Sequence, residues 1–131
     1  MQRTKIFDVL RRKYVALTPE EEVRQRFVHF LLTEKGYPQS LLANEVELKS
    51  GDKKVRCDTV LYATDMTPRM IIEYKAPQIE LTQRIFNQIL DYNSLLRVPY
   101  LVVSNGSHFL CCRILENNYL FLDDIPQYQA L

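Results

Sequence analysis

Cysteine and histidine are scarce in this 131-residue chain, with three of the first and two of the second. Cys57, Cys111 and Cys112 make an odd count without paired zinc-ligand spacing, and His29 and His108 have no visible partner, so a disulfide scaffold and a Cys/His zinc site are both disfavoured. Glycine and proline are also few, at three and six, and there is neither a low-complexity tract nor a repeat at solenoid spacing. That argues against a disordered or repetitive chain. No apolar run approaches the roughly 18 residues of a membrane-crossing helix, and Met1-Gln2-Arg3-Thr4-Lys5 leads into no signal-type apolar stretch. A soluble cytoplasmic protein with no membrane partner is expected. Charge of neither sign dominates: 17 Lys and Arg against 16 Asp and Glu leave a formal +1, which neither demands nor excludes a polyanionic partner.

What the chain does have is 47% hydrophobic residues, enough at this length for one compact domain with a core of its own. The expected organisation is a single domain over residues 1–131, with a basic N-terminal segment at 1–17 and a core at 18–115. The first 14 residues hold Arg3, Lys5, Arg11, Arg12 and Lys13 against a single Asp8. Such a segment is either a solvated terminus or an arm that lies along phosphates. On the second reading Arg11, Arg12 and Lys13 are the candidate nucleic-acid contacts.

Thr18-Pro19-Glu20-Glu21 opens a helix, with Thr as N-cap, Pro at the first helical position and Glu three residues after the cap. Val23, Phe27, Phe30 and Leu31 recur at helical spacing to about residue 34, and Gly36 and Pro38 stop the helix. Residues 44–49 and 55–62 alternate around Gly51-Asp52 as a β-hairpin, and 70–74 is a third strand that Pro77 prevents from continuing. A second helix runs from about residue 80 to 96, with Leu81, Ile85, Ile89, Tyr92 and Leu96 on one stripe. Apolar residues 99–104 read as a buried strand, and Asn105-Gly106 turns it into a last strand at 108–115. Helix, three strands, helix, two strands suit an α/β or α+β sandwich with a mixed sheet flanked by helices.

Glu73 and Lys75 lie two residues apart on the third strand, so the pleat points both to one face, shared with Ile71. On the second strand Asp58 is expected on the face of Arg56 and Val60, where an antiparallel neighbour can bring it near Glu73. Two carboxylates beside a lysine suit a hard cation such as Mg2+, with Mn2+ as substitute. Such ions take a couple of carboxylates plus waters and substrate phosphate, and lower the pKa of a bound water. A lysine nearby can orient that water and offset developing charge. The plain alternative is an ion pair on a sheet surface. In the first helix Glu22 groups with the polar Arg26, His29 and Thr33, and Glu21 is the natural capping-box partner of Thr18. Glu20 extends the apolar stripe, and so is the acid expected to face a metal or Arg24. Arg24 and Arg56 are expected to pair structurally with Glu20 or Asp58. Gln88 and Tyr92, four apart on the second helix, carry polar groups that could address a phosphate or a catalytic ligand. Cys111 and Cys112 should point to opposite faces and pack as small hydrophobes.

Asp58, fourteen residues, Glu73-Tyr74-Lys75, then Gln88 and Tyr92 resemble the PD-(D/E)xK nuclease superfamily, in the branch with a Q-x-x-x-Y helix motif. With Thr18 to Gln25, Arg56-Cys57-Asp58, Ile72 to Pro77 and Ser104-Asn105-Gly106 added, residues 18–106 are similar to the N-terminal nuclease domain of type I restriction enzyme R subunits. The resemblance implies a restriction-endonuclease-like αβββαβ core and Mg2+-dependent hydrolysis of DNA phosphodiesters. It matches Asp58 and Glu73 to the metal ligands, Lys75 to the catalytic lysine, Glu20 to the first-helix acid, and Gln88 and Tyr92 to the helix motif; the metal site expected here is Asp58, Glu73, Glu20 and the Tyr74 carbonyl. No Pro precedes Asp58, and the chain has neither a P-loop nor the length for a translocase. A translocase or specificity subunit is therefore expected as a separate partner, and a C2 homodimer is the simplest way to bring two active sites to a duplex. The rival expectation is a catalytically silent nucleic-acid-binding or interaction module that keeps the fold.

Overall fold

The computed structural model describes residues 4–131; the placements of Met1, Gln2 and Arg3 and the side chains of Tyr92 and Leu95 lie outside the described residues. Among the described residues are two α-helices and eight strands. A two-stranded hairpin comes first, β1 (Lys5–Asp8) with β2 (Lys13–Ala16), followed by α1 (Pro19–Glu34). Then come β3 (Leu42–Ser50), β4 (Lys53–Tyr62), β5 (Pro68–Tyr74), α2 (Gln83–Leu96), β6 (Tyr100–Ser104), β7 (Phe109–Ile114) and β8 (Tyr119–Leu122).

The strands β3 to β8 form one six-stranded sheet in chain order. All neighbours are antiparallel except β5 and β6, which run parallel from Met70↔Tyr100 to Tyr74↔Ser104. A parallel pair needs a crossover, and α2 is that crossover. The result is the expected α+β architecture, a mixed sheet with a helix on each face. Neighbouring residues of the central strands divide between the faces. Ile72, Val102 and Cys111 pack with Val23, Phe27 and Leu31 of α1, whereas Ile71, Leu101 and Cys112 pack with Phe86 and Ile89 of α2. Burial on both sides explains why all five residues of β6 are inaccessible, and why its sequence is nearly all apolar.

The start of α1 follows its local sequence. The Thr18 hydroxyl accepts the Glu21 amide at 3.1 Å, and Pro19 occupies the first turn. Gly36 ends the region in the left-handed conformation, φ +71°, and Tyr37 donates its amide to the Leu31 carbonyl. Three expectations need correction. The basic N-terminal segment is a β-hairpin from Lys5 onward, α2 begins at Gln83 with Thr82 as its cap, and β8 adds a strand beyond residue 115.

Candidate active site

The site lies where β4 stops pairing regularly with both neighbours. Pairing with β5 runs from Leu61↔Met70 to Thr59↔Ile72, so the next step sets Asp58 beside Glu73. There the Asp58 side chain takes over the ladder: its Oδ2 accepts the Tyr74 amide at 2.9 Å. On the other side, Asn44↔Thr59 and Val46↔Cys57 are paired while Glu45 and Asp58 are skipped, and Glu45 has φ +58°. That is a left-handed conformation that residues with a Cβ seldom adopt.

This irregularity reverses the faces of β4. Cys57 and Val60 pack into one cluster on the α2 side, although strict alternation over three residues would separate them. Arg56, flanked by Val55 and Cys57, is therefore on the face opposite Val60, is exposed, and donates from Nε to Glu45 at 2.9 Å. The expectation that Asp58 shares a face with both Arg56 and Val60 fails because of the reversal at Asp58 itself.

A buried polar network holds this point. Arg24 Nη1 donates to the Asp58 carbonyl at 3.1 Å and to Glu45 Oε1 at 2.8 Å. Its Nε and Nη2 grip the Glu21 carboxylate at 2.8 and 2.5 Å. Glu21 also accepts from Gln25 Nε2 and Arg11 Nη2, each at 3.0 Å. Arg11 pairs in addition with Asp8, whose carboxylate accepts the amides of Leu10 and Arg11 and the Asn44 Nδ2. The Asn44 Oδ1 accepts the Thr59 hydroxyl at 2.6 Å, and Thr59 accepts the Tyr74 hydroxyl at 3.0 Å. Two lines of bonds thus run from the N-terminal hairpin to the strands that carry Asp58 and Glu73.

The electrostatics separate the framework from the site. Burial raises the Asp8 carboxyl, but its bonds to Arg11, Asn44 and Leu10 outweigh that and hold it down at about 2. Glu21 is lowered in the same way, against its burial, by hydrogen bonds from Arg24 and Gln25 and the charges of Arg24 and Arg11. Glu73 goes the other way. Burial, then the charge of Asp58 and a hydrogen bond with it, push the carboxyl up to about 8, and Lys75 only partly offsets them. Cys57 is pushed up to about 12 by burial and by the Glu73 and Asp58 charges, which makes it an inert neighbour.

The sequence-derived candidates fare unequally. Asp58, Glu73 and Lys75 come together at the end of β5, where the Lys75 amide continues the ladder by donating to the Ser104 carbonyl at 2.8 Å. Glu20 does not face the core: it is exposed, and Glu21 is the inward acid of that turn. Among the described residues no three His, Cys, Asp or Glu side chains stand close enough to hold an ion together, so Glu20 does not join the carboxylate pair. Arg24 and Arg56 do pair structurally, with Glu21 and Glu45 in place of Glu20 or an Asp58 carboxylate. Gln88 is exposed and does not turn inward, while the Tyr92 side chain lies outside the described residues. Arg12 and Lys13 are exposed, but Arg11 is turned inward into ion pairs with Asp8 and Glu21, which removes it from any phosphate-gripping surface. Cys111 and Cys112 are buried on opposite faces as expected.

Sequence reasoning missed Asp8, Asn44, Glu45 and Thr59. Asp8 had a legible signal, since Asp followed by Arg at the third position suits an Asx turn with an ion pair. Glu45 had none. Asn105 links the two strand ends at the site: its Nδ2 donates to the Ile79 carbonyl, and its Oδ1 accepts the amides of Ser107 and His108.

The donor set fits a hard divalent cation. Two carboxylates on adjacent strands, with the Tyr74 carbonyl between Glu73 and Lys75 in the chain, are oxygen ligands of the few-protein-ligand kind that Mg2+ accepts. No helix among the described residues is long and apolar enough to cross a membrane.

Comparison with known proteins gives two results. The family model described as type I restriction enzyme R protein N terminus (HSDR_N) matches residues 19–126. Among solved structures, the chain is similar to a fragment named as an HsdR subunit of a type I restriction enzyme from Vibrio vulnificus YJ016, at 19% identity and a TM-score of 0.62. The match covers 85% of this chain and 24% of that one, so the chain spans about a quarter of its structural relative. A search of curated proteins returned no match. Helix, hairpin, crossover and strand end agree with a match over nearly the whole sequence, and the chain belongs to the family of type I restriction enzyme R protein N-terminal domains.

Proposed function

We propose that the chain is a metal-dependent DNA phosphodiester hydrolase, the nuclease unit of a restriction-type enzyme. The observation that carries this reading is the placement of Asp58 beside Glu73 at the end of β5, with Lys75 two residues on along the same strand edge. Asp58, Glu73 and the Tyr74 carbonyl would hold Mg2+, or Mn2+ in its place; the ion supplies Lewis acidity and a water of lowered pKa. The protein's own contribution is to keep the two carboxylates in one place and to aim a cation at the reacting phosphate. Lys75 can orient the attacking water by hydrogen bond and offset charge that grows on the phosphate oxygens. Glu73, raised by burial and by Asp58, would have to give up its proton for the pair to hold a cation. Since the chain corresponds to a quarter of its structural relative, we assign translocation and target choice to other segments or subunits.

The test is cleavage of a mixed single- and double-stranded DNA substrate with Mg2+ or with EDTA. Mg2+-dependent cleavage that Asp58→Asn abolishes and Lys75→Ala lowers by on the order of a hundredfold supports the reading. Cleavage that survives Asp58→Asn, or a chain that binds DNA and never cuts it, overturns it in favour of a silent binding module.

A further inference from the structure

The N-terminal hairpin carries a surface that the carboxylate site does not use. The register Lys5↔Ala16 and Phe7↔Tyr14 puts these four residues on one face of the two-stranded sheet, and all four are exposed. Beneath them Ile6 and Val15 are half-buried and Asp8 is inaccessible. Phe7 and Tyr14 are 45% and 67% exposed, and their rings meet edge to face with centroids 5.2 Å apart. An aromatic cross-strand pair is an ordinary sheet contact, but usually one side of it is covered. Here the pair stands in solvent, with the exposed Lys5 on the same face and the exposed Arg12 in the turn that joins the strands, while Lys13, paired with Asp8, belongs to the other face.

The charge around the rings is one-sided. The hairpin's acid, Asp8, is on the other face, buried and neutralised by Arg11, so among the described hairpin residues the aromatic face carries Lys5 and no acid. The face is also held in place. Gln25 Oε1 accepts the Val9 amide, Gln39 Nε2 donates to the Val9 carbonyl, Leu17 donates to the Thr4 carbonyl, and the Asp8 and Arg11 bonds tie the turn to β3 and α1. A pre-set aromatic pair loses little conformational freedom when a flat ring settles on it.

We propose that this face binds single-stranded DNA, with a base stacked on the Phe7–Tyr14 pair and neighbouring phosphates against Lys5 and Arg12. Aromatic platforms beside cations are how proteins hold single strands without reading sequence, whereas a duplex hides the base faces inside its stack. Protein-docking patches are the competing occupant; they too are rich in aromatics and arginine, but their cores are depleted in lysine, and the cation on this face is Lys5. The proposal takes DNA as partner from the function proposed above. Its test is run in EDTA and reads binding alone, so loss of cleavage and loss of this surface are told apart.

The experiment is fluorescence anisotropy of the full chain with labelled dT20 and with a 20-base-pair duplex over a salt series. Tyr14→Ala should weaken dT20 binding about tenfold, the size of one stacked base, and leave duplex binding within twofold. Tyr14→Leu keeps an apolar neighbour for Phe7 and should lose as much, which separates stacking from hairpin integrity, while Tyr14→Phe should bind as the parent does. Lys5→Ala should weaken both ligands and flatten the dT20 salt dependence by about 0.7 in slope. If Tyr14→Ala and Tyr14→Leu both bind dT20 within twofold of the parent, the proposal is overturned. It is equally overturned if both DNAs weaken alike, or if Tyr14-dependent binding occurs only to phosphatidylserine vesicles.

Discussion

Replacing Glu21 by Gln should cost far more stability than the same change at Glu20, one residue earlier. The Glu21 side chain is 8% exposed and accepts four hydrogen bonds, from Arg24 Nε and Nη2, Gln25 Nε2 and Arg11 Nη2. Gln keeps the shape but turns one oxygen into an NH2 that meets guanidinium donors head on, and it removes the charge between two arginines. Breaking a buried pair by neutralising one partner costs about 3–5 kcal/mol. Arg24 keeps Glu45 and the Asp58 carbonyl, and Arg11 keeps Asp8, which places the cost near the lower end, about 3 kcal/mol. With a urea m-value of roughly 2 kcal/mol per M, the unfolding midpoint should fall by about 1.5 M. Glu20 is exposed, and its substitution should leave the midpoint nearly unchanged. Urea titration of both variants at pH 7, followed by far-ultraviolet circular dichroism, reads this directly. Equal midpoints for the two variants, or a larger loss for Glu20→Gln, would refute the placement of α1 and the network built on it.

Three further outcomes follow from the same contacts. Asp8, held at about 2 against an ordinary 3.8, binds fewer protons folded than unfolded, so its contribution is complete above about pH 4 and is lost as pH falls towards 2; about 2 kcal/mol should vanish across that window, and Asp8→Asn should remove this part of the acid limb in urea titrations at pH 5 and pH 2.5. Thr59→Val leaves the Asn44 carbonyl oxygen and the Tyr74 hydroxyl without their buried partner, and thermal unfolding should show a loss of about 1–3 kcal/mol, whereas an unchanged melting temperature would break the line of bonds drawn from Asp8 to Tyr74. Cys57, Cys111 and Cys112 are buried and raised to about 12, 12 and 11, so the native chain should resist a thiol reagent that modifies all three in urea; fast labelling of any one in native buffer would contradict its burial.

How far the sequence disclosed the site depended on the range of the forces involved. Glu73 and Lys75 were legible because a pleat is a property of neighbouring residues, and Thr18-Pro19 announced α1 because a cap is local. Asp58 was placed next to Glu73 by the same reasoning, and the register agrees. The choice between Glu20 and Glu21 was not local. A charged residue turns inward only where partners wait, and Arg11 arrives from a hairpin loop ten residues earlier whose own strands were hidden in a basic segment. Gln88, at the border of the α2 stripe, turns to solvent, a choice that the stripe alone does not decide. The reversal of β4 leaves no trace in hydrophobic alternation read one strand at a time, since it arises from Glu45 in a left-handed conformation on the neighbouring strand.

That reversal also gives the buried charges a purpose that stability does not. Replacing a buried ion network with apolar residues is often neutral or favourable, so Arg24, Glu21, Arg11 and Asp8 are poorly explained as sources of folding energy. Skipping Glu45 and Asp58 in the ladder leaves the Asp58 carbonyl in need of a donor, and the Glu45 carboxylate is held by the same arginine at the edge of the site. A single guanidinium reaches both, at 3.1 and 2.8 Å, and its remaining nitrogens are anchored on Glu21 so that it has one orientation. With its backbone fixed from one side by Arg24 and its carboxylate fixed from the other by the Tyr74 amide, Asp58 has little freedom left to retreat from Glu73. The network therefore sets geometry: it holds two carboxyl groups together at a break in a sheet, an arrangement that mutual repulsion would open once both were ionised without a cation between them.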